Sequence, residues 1–381
     1  MIEKYLNNRF ITLYLLPLLL GTLSVVSFQP FNFTFVNFFI FPIIFYLITY
    51  INKKSKSIYR KKPYKKNLFI FGTTFGLGFY LGGIHWIVNS LTFDESFKIL
   101  IPFGLILIPL FLSIFFSLIT LLVGPFLSMS LSSILLFSAV FAFSDYIRDK
   151  VLTGFPWNLW AYSFSWSVEI IQILNVVGLF AFNLIIITIF TLPAVFFFKI
   201  NLWKKFFNLF LIIFFIFVLY IYGNHSINFN QKELALEDQK FNIKVISPNF
   251  ELKYNLEIEE IKKRLKLLIK YSEPIKNQKT LFVWPEGVFS GYSYNEVLDL
   301  KEIFLKNFDE THLILFGINR SDSKKKGFYN SLVITNNKME ILHEYKKQKL
   351  VPFGEFLPFE KTLKKFGLKK ITEGHGSFLK G

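Results

Sequence analysis

The sequence predicts a multi-pass α-helical membrane bundle followed by a layered α/β domain. Three observations carry that prediction. Of 381 residues, 52% are hydrophobic, and the excess is concentrated before residue 224. Long apolar runs alternate there with short polar loops, the densest basic loop lying between two such runs. Beyond about residue 240 the pattern changes to short apolar strands, one amphipathic helix and turn residues. The expected divisions are a membrane part over 1–223, a polar joint over 224–239 and a second domain over 240–381.

A helix crossing a bilayer takes about 20 mostly apolar residues. Seven stretches meet that need: 11–28, 32–51, 68–90, 98–122, 125–145, 169–198 and 203–223. The run from 98 to 145 is too long for one crossing, and Gly124-Pro125 is the expected break because proline cannot continue a helix hydrogen-bond ladder. The sixth stretch is long enough to tilt or to begin as a re-entrant piece.

Charge supplies a direction. Lys53, Lys54, Lys56, Arg60, Lys61, Lys62, Lys65 and Lys66 lie in one loop with no acidic residue among them. Loops of that kind stay in the cytoplasm and favour anionic headgroups. Lys4, Arg9, Lys199, Lys204 and Lys205 fall on the same side. Seven crossings from a cytoplasmic start put residues after 224 outside. The net charge of +17 is therefore read as membrane topology plus a solvated surface, not as a nucleic-acid footprint. A cleavable leader is disfavoured, since no small-residue cleavage site follows the first apolar run. There is no cysteine, which removes disulfides and thiolate metal sites. The five histidines show no metal-ligand spacing.

In the second domain, 241–246, 280–284 and 313–317 read as strands. Leu256, Ile258, Ile261, Leu265, Leu268 and Tyr271 recur at helical spacing. Segments 328–335 and 339–346 flank Asn336-Asn337, a hairpin turn.

Two segments hold residues suited to chemistry. Trp284-Pro285-Glu286-Gly287 ends a buried strand with a carboxylate. At a sheet rim such a group suits a general base; the alternative is a surface glutamate capping a turn. Tyr345-Lys346-Lys347-Gln348-Lys349-Leu350-Val351-Pro352-Phe353-Gly354-Glu355 supplies three lysines and a glutamate. An ammonium beside a reacting carbonyl stabilises an oxyanion; the alternative is a basic exposed turn.

Together, in this order, these segments resemble the carbon–nitrogen hydrolase (nitrilase) superfamily, and the whole chain resembles the apolipoprotein N-acyltransferase family. Gly76-Leu77-Gly78-Phe79-Tyr80-Leu81-Gly82-Gly83-Ile84-His85-Trp86 resembles that family's third span, and Gly154-Phe155-Pro156-Trp157-Asn158 its G-x-P-W loop. The resemblance implies a nitrilase-like α-β-β-α sandwich for the second domain, here incomplete. It implies Glu286 as general base, Lys347 as oxyanion donor and Glu355 as the orienting second carboxylate. Lys253-Tyr254 stands where the family has K-W, which implies a substrate contact at Tyr254, with Trp284 a second. Ser377-Phe378-Leu379-Lys380-Gly381 matches a region preceding the family's cysteine nucleophile, so that nucleophile and an eighth span are expected beyond residue 381. The implied reaction moves a fatty acyl chain from a phospholipid donor to the N-terminal amine of a diacylated apolipoprotein at the bacterial inner membrane, with no cofactor, no metal and no nucleic acid. The alternatives are a catalytically inactive lipid- or lipoprotein-binding homologue and a membrane-bound amidase-type hydrolase. In a chain without a cysteine, acyl transfer by the 381 residues alone is not expected.

Overall fold

The computed structural model describes residues 6–58, 63–92, 95–151, 154–236, 242–251, 253, 256–352, 354–359 and 377–381. Two compact units emerge, Met1–Asn89 with Lys98–Leu236, and Ser90–Phe97 with Glu237–Gly381.

The first unit is helical: α1 (Leu16–Ser24), α2 (Asn37–Ile58), α3 (Pro63–Ile84), α4 (Ile101–Val123), α5 (Leu131–Lys150), the short α6 (Val168–Ile171), α7 (Leu174–Thr191) and α8 (Leu202–Leu236). Six helical stretches among the described residues are long and apolar enough to cross a membrane, from Thr34–Lys54 to Leu202–Leu234. The first expected crossing differs from these, because its apolar helix, Ile11–Ser27, is shorter. It stops where Phe28 turns to an extended backbone. The break at Gly124-Pro125 is present: α4 ends at Val123 and a single tight turn covers Gly124–Phe126.

Two further boundaries depart from expectation. The stretch 169–198 is not one helix. It contains α6, then α7 with Gly178 at φ 74, a left-handed backbone that glycine adopts without a Cβ clash. The polar piece after residue 223 continues α8 to Leu236 instead of forming a joint. Its asparagines sit one turn apart, and the Asn228 amide donates to the Asn224 side chain at 3.4 Å, so lost hydropathy does not end the helix.

Small residues let the backbones approach. A Cβ on Gly78 would lie 2.2 Å from the Leu18 carbonyl oxygen on α1, and one on Gly72 would lie 2.6 Å from the Phe116 carbonyl oxygen on α4. Side chains there would force α3 away from both neighbours, which is how small residues set helix packing in lipid. The centre is aromatic. Trp160, 1% exposed, has ring neighbours Phe28, Phe41, Phe79 and Phe141 at centroid distances of 5.8, 4.7, 4.8 and 6.0 Å.

A polar knot sits inside this apolar unit. Arg148 donates to Asp145 at 3.0 Å and to the carbonyls of Phe155 and Trp157 at 2.8 and 2.7 Å. Asn183 on α7 donates to the other Asp145 oxygen at 2.9 Å and accepts the Ala161 N–H at 3.0 Å. All three side chains are buried. The knot ties α5, α7 and the loop between Gly154 and Ala161 together.

The second unit is a five-stranded sheet in the order β1 (Asn242–Val245), β2 (Thr280–Val283), β3 (His312–Asp322), β4 (Gly327–Thr335), β5 (Ile341–Lys346). The first two pairings are parallel and the last two antiparallel. The expected turn at Asn336-Asn337 joins β4 to β5, with Met339 at φ 58. Helix α9 (Ile258–Ser272) connects β1 to β2, and α10 (Tyr294–Val297) and α11 (Lys301–Asn307) lie between β2 and β3. Their apolar residues form one core with alternate strand residues, including Leu265, Phe304, Phe282, Ile314, Phe316 and Val333. The described residues thus hold a mixed sheet with a helical layer.

Breaking the knot has a defined cost. Asp145→Ala leaves a buried guanidinium without its carboxylate, and the expected loss is about 3–5 kcal/mol of stability. Leu135→Ala, at an exposed position of the same helix, is expected to cost no more than about 0.5 kcal/mol. Unfolding of the detergent-solubilised variants by increasing SDS compares the two; equal losses would refute a special role for the pair.

Candidate active site

Register across β3, β4 and β5 builds the site. Gly317 pairs with Leu332, and Leu332 with Tyr345. Directly opposite residues share a face, so these three form a row on the face away from the helices. The next row on that face holds Asn330, whose carbonyl accepts the Lys347 N–H at 2.9 Å. Gly317 leaves the row open at its β3 end, because a Cβ there would meet only the Ser331 carbonyl oxygen, at 4.0 Å.

A cavity of about 590 Å³ lies on this face. Trp284, Glu286, Gly317, Leu332, Tyr345 and Lys347 are among its lining residues. Glu286 reaches it from the end of β2, where Gly287 (φ 76) turns the chain. A positive φ at that turn calls for glycine and leaves the preceding carboxylate exposed at the sheet rim. Trp284 is 3% exposed. Its indole donates to Ser272 Oγ at 3.1 Å and its ring packs beside Phe304 and Phe316. It forms the wall behind the cavity.

Lys347 is held tightly. Its Nζ donates to Glu355 Oε1 at 2.8 Å, and that oxygen also accepts Asn330 Nδ2 at 2.8 Å. The other oxygen, Oε2, accepts the Val351 N–H at 2.9 Å. Glu355 returns its own N–H to the Val351 carbonyl at 2.8 Å. The carboxylate therefore closes the turn between Lys347 and Glu355 and joins it to β4. Its side chain is 13% exposed against 34% for Lys347, so the pair is partly shielded from water and is stronger than a surface pair.

The carboxyl-terminal residues run alongside. Phe378 N–H donates to the Glu355 carbonyl at 2.8 Å, Leu379 N–H to Phe328 at 2.7 Å and Gly381 N–H to Lys347 at 3.0 Å. Beside the cavity, Glu344 accepts from Ser331 at 2.9 Å and lies 3.5 Å from Arg320. Arg320 stacks over Tyr294, whose hydroxyl donates to the Met339 carbonyl. Burial raises the Tyr294 phenol above its ordinary range, against the pull of Arg320.

Glu286 and Lys347 thus line one cavity, with Glu355 behind the lysine. Tyr254 lies outside the described residues. Asn330 and Gly317 are absent from the sequence reading: each is an isolated polar or small residue within a strand, and only strand register brings it to the cavity. No group of three or more metal-binding side chains occurs among the described residues.

Residues 20–192 match the family model described as the apolipoprotein N-acyltransferase N-terminal domain. Over nearly the whole chain there is similarity to proteins named apolipoprotein N-acyltransferase. The one from Bradyrhizobium diazoefficiens is 26% identical over 378 residues, covering 95% of this chain and 68% of the relative. That from Rickettsia typhi is 29% identical over 363 residues, covering 93% and 68%. That from Rickettsia prowazekii is 28% identical over 368 residues, covering 94% and 68%.

If Glu355 is the strut of this turn, Glu355→Ala frees the Val351 N–H and the Asn330 amide together. Amide hydrogen exchange at Val351 is expected to speed up by about ten-fold or more, since one charge-assisted bond is worth about 1.5–3 kcal/mol. The core strand β2 should keep its protection. Unchanged exchange at Val351 would show that the turn holds without the carboxylate.

Proposed function

We propose that the chain is a member of the apolipoprotein N-acyltransferase family and that its cavity is the site of acyl transfer from a phospholipid to the N-terminal amine of a diacylated apolipoprotein. The observation that carries this reading is the shared lining: Glu286 and Lys347 face one cavity, and Lys347 is anchored by Glu355 at 2.8 Å.

The family resemblance supplies the covalent order. A cysteine thiol loses its proton to Glu286, and the thiolate attacks the ester carbonyl of the donor lipid. A thiol of ordinary pKa, about 8.5, is mostly protonated at neutral pH, so a base is needed. The tetrahedral oxyanion is met by the Lys347 ammonium. The C–O bond breaks, and the departing lyso-lipid alkoxide takes the proton held by Glu286. The acceptor amine then attacks the thioester, giving its proton to Glu286, and the C–S bond breaks. Glu355 keeps Lys347 aimed throughout. No cysteine is present in the 381 residues; what they contribute is the base, the oxyanion donor and the orienting carboxylate.

A second reading is a lipid- or lipoprotein-binding homologue that does not turn over. The membrane-bound unit, six long apolar helices, suits either reading because both substrates are lipid-anchored. It does not suit an amidase acting on small soluble amides.

Two outcomes are expected. The 381-residue protein, mixed with phospholipid vesicles and a diacylated lipopeptide, should give no N-acylated product by mass spectrometry. A photoreactive version of that lipopeptide should cross-link to β4 or to residues 346–349. Formation of product would overturn the thiol-dependent mechanism, and cross-linking confined elsewhere would overturn the site. The topology reading places the second unit outside the cytoplasm. A phosphatase fused after residue 240 should be active, and a fusion active only as a cytoplasmic reporter would reverse the orientation.

A further inference from the structure

We propose that Lys349 binds the phosphate of the lipid acyl donor and so selects glycerophospholipids over uncharged acyl esters. The inference rests on reading the cavity as the acyl-transfer site, and it starts from the charges that line it. Two cations face the cavity, Lys347 and Lys349, and one anion, Glu286. Lys347 is neutralised by Glu355. Glu355 is further engaged by the Asn330 amide and the Val351 N–H. Glu344, the nearest other carboxylate along β5, is engaged by Ser331 and Arg320. Among the described residues no carboxylate lies in ion-pair reach of Lys349. Glu286 must stay free to move protons, so it is not the counter-ion either. Lys349 is therefore the lining cation without an ion pair among the described residues, and an anionic part of the substrate can pair with it.

Position identifies that part. Lys347 and Lys349 are two residues apart, so their Cα atoms are separated by at most roughly 7 Å. In a glycerophospholipid the phosphorus lies one glycerol unit from the ester carbonyl carbon, a comparable span. With Lys347 at the ester oxygen, Lys349 is placed for the phosphate. The backbone around Lys349 is fixed on both sides. Lys347 N–H donates to Asn330, the Lys347 carbonyl accepts from Gly381, and Leu350 is 8% exposed. The ammonium thus works from an anchored segment, as a point charge on a flexible stem, which suits a phosphodiester. The side chains of Leu332 and Tyr345 are left for the acyl chain.

The test uses the absence of cysteine. Gln348→Cys in the full chain, labelled with a polarity-sensitive fluorophore, reports cavity occupancy from a lining position with no assigned role. It is titrated with a lysophosphatidylglycerol, with a monoacylglycerol of the same chain and with inorganic phosphate. The parent should prefer the lysophospholipid by about ten-fold, the scale of one charge-assisted contact at a partly exposed site. In the reporter protein, Lys349→Gln should bring the two affinities together and Lys349→Arg should preserve the preference. An unchanged ratio with Lys349→Gln overturns the role of Lys349 while leaving the cavity assignment standing. A folded parent that responds to neither lipid overturns the cavity assignment itself. Displacement of the lysophospholipid by equal concentrations of inorganic phosphate marks a free-anion site and overturns the lipid assignment.

Discussion

A guanidinium with no route to water organises the membrane unit. Arg148 is 2% exposed, and such a charge inside an apolar bundle costs several kcal/mol unless it is paired and hydrogen-bonded. Asp145 supplies the pairing and two loop carbonyls supply the bonding. Asp145 then needs a further donor, which Asn183 provides, and the same amide fixes the Ala161 N–H. One buried charge thereby dictates the positions of two helices and a loop. The loop leads straight into Trp160, around which the phenylalanines of α2, α3 and α5 gather. In an apolar solvent, packing alone gives helices little reason to choose one register over another. The knot gives them that reason.

The same logic recurs at the cavity on a smaller scale. Lys347 and Glu355 sit on a turn with no regular secondary structure, yet their ion pair, the Asn330 amide and the Val351 N–H make the turn rigid. A loop that presents a functional side chain must be held by something other than its own backbone ladder, and here a carboxylate does it.

How much of this could be read beforehand follows from which interactions are local. The apolar stretches are legible because hydropathy is a property of the segment itself, and observed and expected bounds differ where the backbone departs from what hydropathy alone indicates. Gly178 breaks α7 through its backbone freedom, and α8 outlasts its apolar content by more than three turns. The strands are legible from apolar runs and turn residues, but their order in the sheet is not, and the short helices α10 and α11 carry no long periodic pattern to mark them. Glu286, Lys347 and Glu355 stood out because each lies in a distinctive run. Asn330, Gly317, Asp145 and Asn183 did not, since their partners are distant in sequence and only folding brings them together. The sandwich implied by the resemblance goes beyond the sheet and helical layer described.

The two carboxylates near Lys347 divide by how many donors each already has. Glu355 accepts three hydrogen bonds, two of them from neutral amide N–H groups and one from an ammonium. Together these bonds tie the Lys347 ammonium, the Asn330 amide and the Val351 N–H to one carboxylate, so losing it would release the turn that holds the lysine. A carboxylate with that many partners is suited to holding the lysine in place. Glu286 is the opposite case: it is exposed at the rim, on a glycine turn, with no hydrogen bond or ion pair among the described residues. A base that must accept a proton from one partner and return it to another needs that vacancy. The proposed division, in which Glu286 carries protons and Glu355 carries the lysine, therefore follows from the donors each carboxylate already has.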